Sequence, residues 1–230
     1  MKAPLWKNIL SYCYEFVIEE AYSDHNPFLQ VILSRGQYQL CTENAIYSYG
    51  ALYNNFAEAF KAIDLEQAAV NEVLVLGLGL GSIPYILEKS MQKDYHYTGV
   101  EIDETVVYLA NKYVLEELKS SVEVFCADAE IFAATCEQQF DLICVDLFLD
   151  AMIPDQFEQL TFLSHLQRIL RPNGILLYNR LATTQADIDN SKQFFDGIFK
   201  EQFPAASYLP IEENWILINR ADALKKTSVN

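Results

Sequence analysis

Positive charge is scarce in this chain. Sixteen Lys and Arg stand against 32 Asp and Glu in 230 residues, for a formal net charge of −16. A surface this acidic repels phosphodiester backbones and anionic headgroups, so neither nucleic acid nor a membrane is expected as a partner. A small molecule fits better, a cationic one especially, although the same charge also serves plain solubility. Long apolar runs are missing as well. The most apolar stretch, residues 73–83, contains three glycines and is far too short to span a bilayer. Residues 1–10 place no long apolar stretch behind their lysines and do not read as a signal peptide. The five cysteines, at 13, 41, 126, 136 and 144, are odd in number and form no C-x-x-C pair. That spacing indicates neither a disulfide frame nor a zinc site, and favours a reducing cytoplasm. His25, His96 and His165 have no metal-ligand spacing, and there is no nucleophile elbow, so metal and acyl-enzyme chemistry are not expected.

What is present is an organised α/β pattern, with 51% hydrophobic and 21% charged residues. Before residue 70 the chain is β-rich: residues 14–20, 28–33 and 37–42 read as strands, with a hairpin turn at Ser34-Arg35-Gly36. Residues 49–63 then read as a helix, with Leu52, Phe56, Phe60 and Ile63 at helical spacing. From residue 72 strands and helices alternate: strands 73–76, 96–101, 122–126, 142–146 and 175–178, each followed by a helix, at 82–90, 104–118, 129–136, 155–170 and 185–203. Strand 175–178 follows the turn Arg171-Pro172-Asn173-Gly174, and two last strands fall at 206–209 and 215–219. Repeated βα units predict a Rossmann-like, mostly parallel seven-stranded sheet with helices on both faces, its edge closed by an antiparallel hairpin. The organisation expected is a β-rich N-terminal segment at 1–48, a nucleoside-binding domain at 49–220 and a frayed tail at 221–230.

The strand at 73–76 runs directly into Gly77-Leu78-Gly79-Leu80-Gly81-Ser82. Glycine is needed where a backbone turns sharply with no Cβ between it and a ligand, and the following helix start offers unpaired N–H groups. A G-x-G-x-G spacing suits S-adenosylmethionine better than a dinucleotide, although Ser82 can serve as the third small residue of a dinucleotide fingerprint. About 20 residues on, at the end of the next strand, Glu101 is placed to accept hydrogen bonds from both ribose hydroxyls. Asp103, just before Glu104 and a helical pattern, reads instead as a helix cap. At the end of the third strand Asp128 can accept from the adenine amine, with the Ala129 N–H beside it, or can simply cap the next helix.

The fourth strand ends at Asp146, where open α/β sheets place their ligands. A carboxylate there can orient an attacking amine or hydroxyl, or take its proton. Asp150 is a second candidate, for which a solvated loop acid is an equally good account.

On these residues, and on Gln39-Leu40-Cys41-Thr42-Glu43 followed by Tyr47-Ser48-Tyr49, the chain resembles the spermidine-synthase-like proteins over residues 14–220. The resemblance implies that Tyr49 and Asp146 help deprotonate an attacking amine, and that the β-rich segment pairs across a homodimer. Departures accompany it. Leu80 stands where the family has an aspartate that holds the aminopropyl ammonium of decarboxylated S-adenosylmethionine. Leu149 replaces a polyamine-binding acid, with Asp150 at the following proline's position. Gly50 and Ala51 replace a glutamine and a glutamate, and Ala45-Ile46 an acidic pair. Burying an unpaired ammonium is costly, so these changes argue against a diamine acceptor. The first expectation is therefore a methyltransferase using S-adenosylmethionine, with Asp150 and Leu80 facing a small-molecule acceptor. The second is an aminopropyltransferase using the decarboxylated donor. The third is a nucleoside-binding protein without turnover.

Overall fold

The computed structural model describes residues 3–42, 54–148 and 152–225, and the backbone of 46–48. A short helix α1 (Leu5–Leu10) precedes an antiparallel sheet of order β1-β2-β3-β4: Phe16–Ala21, Leu29–Ser34, Gln37–Cys41 and Ile46–Ser48. After α2 (Asn54–Ala62) come β5 (Glu72–Leu76), α3 (Ser82–Tyr85), β6 (His96–Glu101), α4 (Glu104–Tyr113), β7 (Val122–Cys126), α5 (Ala129–Thr135) and β8 (Phe140–Val145). The chain continues with α6 (Leu160–Ile169), β9 (Leu170–Leu181), α7 (Gln185–Phe194), β10 (Ser207–Ile211) and β11 (Asn214–Ile218). The seven later strands form one sheet of order β10-β11-β9-β8-β5-β6-β7, antiparallel only where β11 joins β9 and β10. This is the Rossmann-like architecture expected, with its closing hairpin. No helix among the described residues is long and apolar enough to cross a membrane.

The chain divides into two compact units, Met1–Tyr53 with Gly77–Ala129, and Asn54–Leu76 with Glu130–Asn230. In the first, the β2–β3 hairpin turns at Arg35 and Gly36, both left-handed (φ 49° and 78°), the pairing that matches strand twist. Leu29, Val31, Leu33 and Leu40 are fully buried on it. Helix α4 buries Val106, Leu109, Ala110 and Tyr113, the stripe its helical period dictates. Tyr38 packs on Tyr113 with ring centroids 4.9 Å apart, and Glu19 accepts from both Lys112 (2.7 Å) and Tyr113. Helix α1 was not expected from the sequence. None of its side chains is buried, so no amphipathic period marks it.

In the second unit all six residues of β8 are buried, as a strand covered on both faces requires. Helix α6 packs through Phe162, Leu163, Leu166 and Ile169. Aromatic rings gather at the C-terminal end, where Tyr178, Phe194, Phe195 and Phe199 pack within 6.2 Å of one another in successive pairs. Each such buried ring or branched chain contributes roughly 1.5–3 kcal/mol.

Several element boundaries differ from the sequence reading. The turn at 171–174 does not precede a strand; it is a bulge inside β9, which already pairs Leu170 with Phe140 before resuming at Ile175 opposite Leu142. Asn173 takes φ 70° to make the excursion, and Arg171 reaches Asp141, whose carboxylate also accepts the Asn71 and Glu72 N–H groups. The helix expected at 82–90 is one α turn followed by a π turn, Ile86–Ser90, and that at 185–203 passes through a second π turn, Phe195–Phe199. The helix at 104–118 ends at Tyr113 and is followed by a 3₁₀ turn, Leu115–Glu117; the one at 155–170 opens as a 3₁₀ turn, Asp155–Glu158. Each of these π and 3₁₀ stretches is only three to five residues long, too short for its different period to show in the apolar spacing. Of the helix expected at 49–63, residues 49–53 lie outside the described residues.

Candidate functional site

The glycine turn is held by its own backbone. Gly77, Gly79 and Gly81 have φ of 84°, 53° and 87°, conformations that cost a side-chain-bearing residue about 1–3 kcal/mol. The Gly77 and Leu78 N–H groups both donate to the Val100 carbonyl, at 2.9 and 3.1 Å, and the Gly81 N–H donates to the Leu78 carbonyl at 2.9 Å. At Gly81 an added Cβ would lie 2.6 Å from a Leu115 methyl group. Gly99, which the sequence reading passed over, is required for the same reason: its missing Cβ leaves room for the Leu78 side chain.

Glu101 closes this turn from the end of β6. Its Oε2 accepts the Gly79 N–H at 3.0 Å, and its Oε1 accepts the N–H groups of Ile102 (3.0 Å) and Asp103 (3.3 Å). Burial pushes the Glu101 carboxyl above the usual carboxylate range, against the opposing pull of these three donors. Among the described residues three donors occupy three of about four acceptor positions on the carboxylate, which leaves a place on Oε2. Asp103 is different. It is 1% exposed; its Oδ1 caps α4 through the Thr105 N–H (2.9 Å), and its Oδ2 accepts from Ser23 and from Asn26 (2.7 Å). Sequence reasoning assigned the cap but missed the two loop residues, which lie some 80 positions upstream in a polar stretch with no distinguishing pattern.

Asp128 stands half-buried between β7 and α5, and Ala129, the first residue of α5, is buried. The adjoining Ala127 N–H donates to the Glu101 carbonyl at 2.9 Å, which ties this strand end to that of β6. Leu80 is 1% exposed.

In the second unit Asp146 follows β8, and its N–H donates to the Leu76 carbonyl at 2.8 Å. Its Oδ1 accepts from the Asn179 side-chain amide at 2.9 Å, and the Asn179 side-chain Oδ1 in turn accepts from the Asn214 side-chain amide at 3.0 Å. Asn179 is 1% exposed, and these two bonds agree on its amide orientation. Beside it, buried Arg180 pairs with Glu158 and lies 4.5 Å from the Phe194 ring centroid. Neither asparagine was singled out from sequence; the available signal, at Asn179 alone, was a polar residue directly after the apolar run 175–178. Tyr49 and Asp150 lie outside the described residues. No group of three or more His, Cys, Asp or Glu able to hold a metal ion occurs among the described residues.

A family model described as the spermine/spermidine synthase domain matches residues 63–227. A probable polyamine aminopropyl transferase of Bifidobacterium longum (strain NCC 2705) is 31% identical over 109 residues, 47% of this chain and 24% of the relative. The chain thus matches about a quarter of that curated relative's length. A probable spermidine synthase from Corynebacterium glutamicum ATCC 13032 superposes with a TM-score of 0.64 at 19% identity, over 95% of this chain and 81% of that one. The spermidine synthase from Thermotoga maritima gives 0.66 at 15% identity, over 88% and 71%. Human methyltransferase-like protein 13 in complex with SAH gives 0.60 at 24% identity, over 75% and 83%. At such identities the structural likeness speaks for the fold.

These findings overturn the expectation of methyl transfer. That expectation rested on Leu80 and on the lost carboxylates, whereas the matched model and the curated relative are both of the polyamine-synthase kind. The error has a physical source. A side chain as buried as Leu80 reports packing within the first unit as much as it reports the group on a donor. The model match runs across well over half of the sequence, and the chain belongs to the spermine/spermidine synthase domain family.

Proposed function

We propose that the protein is an aminopropyltransferase that moves an aminopropyl group from decarboxylated S-adenosylmethionine to a small amine. The observation that carries this reading is the match of residues 63–227 to the spermine/spermidine synthase domain, and the glycine turn bonded to Glu101 agrees with it. In this reading the free position on Glu101 Oε2 accepts one ribose hydroxyl, and a second ribose bond is made by exchange with the Gly79 N–H. Asp128 accepts from the adenine amine, with the Ala129 N–H alongside. Gly77, Gly79 and Gly81 keep side chains away from the nucleoside, and Leu80 lends the donor chain an apolar neighbour.

The donor supplies, when bound, a methylene carbon next to a sulfonium, whose bond to sulfur breaks heterolytically and releases methylthioadenosine. Asp146 orients the acceptor amine so that its lone pair attacks that carbon in line, and then receives the proton the nitrogen sheds. Asn179 and Asn214 hold the Asp146 carboxylate in one rotamer. Tyr49 assists in deprotonation and Asp150 meets the far end of the acceptor. The enzyme works in the cytoplasm as a homodimer, and light scattering tests the dimer.

The functional test is release of methylthioadenosine from decarboxylated S-adenosylmethionine with putrescine, cadaverine and longer diamines. Turnover with at least one amine is expected. Methylthioadenosine binding without turnover across the panel would sink the enzymatic reading and leave a nucleoside-binding protein.

A further inference from the structure

The first unit encloses a cavity of about 340 Å³ that neither Glu101, Asp128, Gly77 nor Gly79 lines. It touches the glycine turn only through Leu80 and Ser82. Three phenol rings, Tyr38, Tyr85 and Tyr113, and one carboxylate, Glu117, stand in its wall. The Tyr38 and Tyr113 rings are inclined at 50°, so they present two differently directed π surfaces. Burial first, and then the Glu117 charge, raises the hydroxyl pKa of both Tyr38 and Tyr85, so the field of this carboxylate reaches two of the three rings. Lys89 is engaged by Glu88 and by the Glu117 backbone carbonyl. An ammonium is already drawn to a ring here: the Lys112 nitrogen, which does not line the cavity, lies 5.4 Å from the Tyr113 centroid.

Aromatic faces attract alkylated ammonium groups through their quadrupoles, and a carboxylate nearby adds a direct charge. The chain's net charge of −16 raises the local concentration of any cation. We propose that this cavity binds a small organic ammonium ion, its charge set against Glu117 and its alkyl groups against Tyr38, Tyr85 and Tyr113. The proposal does not depend on the aminopropyl reading.

Choline and its uncharged carbon isostere, 3,3-dimethyl-1-butanol, separate charge recognition from apolar filling. Each is titrated into the full chain and followed by tyrosine ring proton shifts in NMR. Choline is expected to bind at least about fivefold more tightly than the isostere, a difference that Glu117→Gln largely removes. Tyr85→Leu is expected to weaken choline about three- to tenfold, with circular dichroism verifying the fold. Glu101→Gln, which acts on the nucleoside end, should leave choline binding unchanged. Equal affinity for the two probes, unchanged discrimination in Glu117→Gln, or absence of choline binding each overturns the proposal.

Discussion

Glu101 and Asp146 both stand where a strand ends, yet they are held by different kinds of partner. Glu101 takes three main-chain N–H groups, all within or beside the turns it closes. Asp146 takes a side-chain amide, behind which a second side-chain amide stands. A carboxylate bound by backbone is positioned by the path of the chain and is insensitive to most side-chain replacement around it. A carboxylate bound by an asparagine that a second asparagine orients depends on side chains that single substitutions can remove. In the proposed reaction the nucleoside end is thus built from main chain and the acceptor end from side chains. In that proposed reaction, changing the acceptor requires no change at the donor end.

The comparison is broken most severely at Asp146. Asp146→Asn should lower methylthioadenosine release about a thousandfold, the usual scale for losing a general base, while nucleoside affinity measured by calorimetry stays unchanged. Loss of both together would show that the two ends are not separable. Gly81→Ala comes next, because φ 87° and the 2.6 Å approach to Leu115 act together. Urea unfolding should show a loss of about 2–4 kcal/mol, of which an added Leu115→Ala recovers only the steric part. Glu101→Gln should weaken methylthioadenosine binding about 10- to 100-fold with turnover at saturating donor less affected, as expected for a charged hydrogen bond to ribose.

The pH dependence sharpens the same point. Only the ionised Glu101 offers its full set of acceptors, and burial raises its pKa. Nucleoside affinity should therefore fall as pH is lowered through that raised value, beginning at a higher pH than an ordinary glutamate would give. In Glu101→Gln this acid-side loss should be absent. The smallest effect is expected from Asn214→Ala, which removes the outer amide. A decrease in kcat of a few-fold at unchanged donor affinity would fit a positioning role, since such relays typically contribute about 1 kcal/mol per bond.

The same division explains what could be read without a structure. Strands β6 and β7 fall on the residues expected, because runs rich in apolar and β-branched residues end at clear turn signals. The glycine turn and the Asp103 cap were legible because main-chain geometry leaves a mark in composition: glycine at left-handed φ, an acid before a helix. Asn179 and Asn214 left no such mark. Their connection exists only because the β9–β11 ladder places the two strands in register, Asn214 opposite Leu181 and Ile216 opposite Asn179. Pro172-Asn173-Gly174 misled in the opposite direction, since a bulge and a turn use the same residues and only the ladder on either side tells them apart. Leu80 misled most, because an apolar side chain beside a ligand motif can serve the core instead.

Asp103 has a consequence for the history of the chain as well as for its geometry. Its carboxylate ties the loop after β1 to the start of α4, through Ser23, across 80 residues of sequence. The hairpin and the helix can each form locally within microseconds, but the latch between them cannot close before residue 103 exists. On a ribosome that interval is roughly 4–16 s of elongation at 5–20 residues per second. Throughout it the N-terminal segment has its own β1–β2 ladder and the Ser11 bonds to the 35–36 turn, but lacks the latch to α4, and Trp6, Tyr14 and Tyr22 stay exposed even in the finished fold.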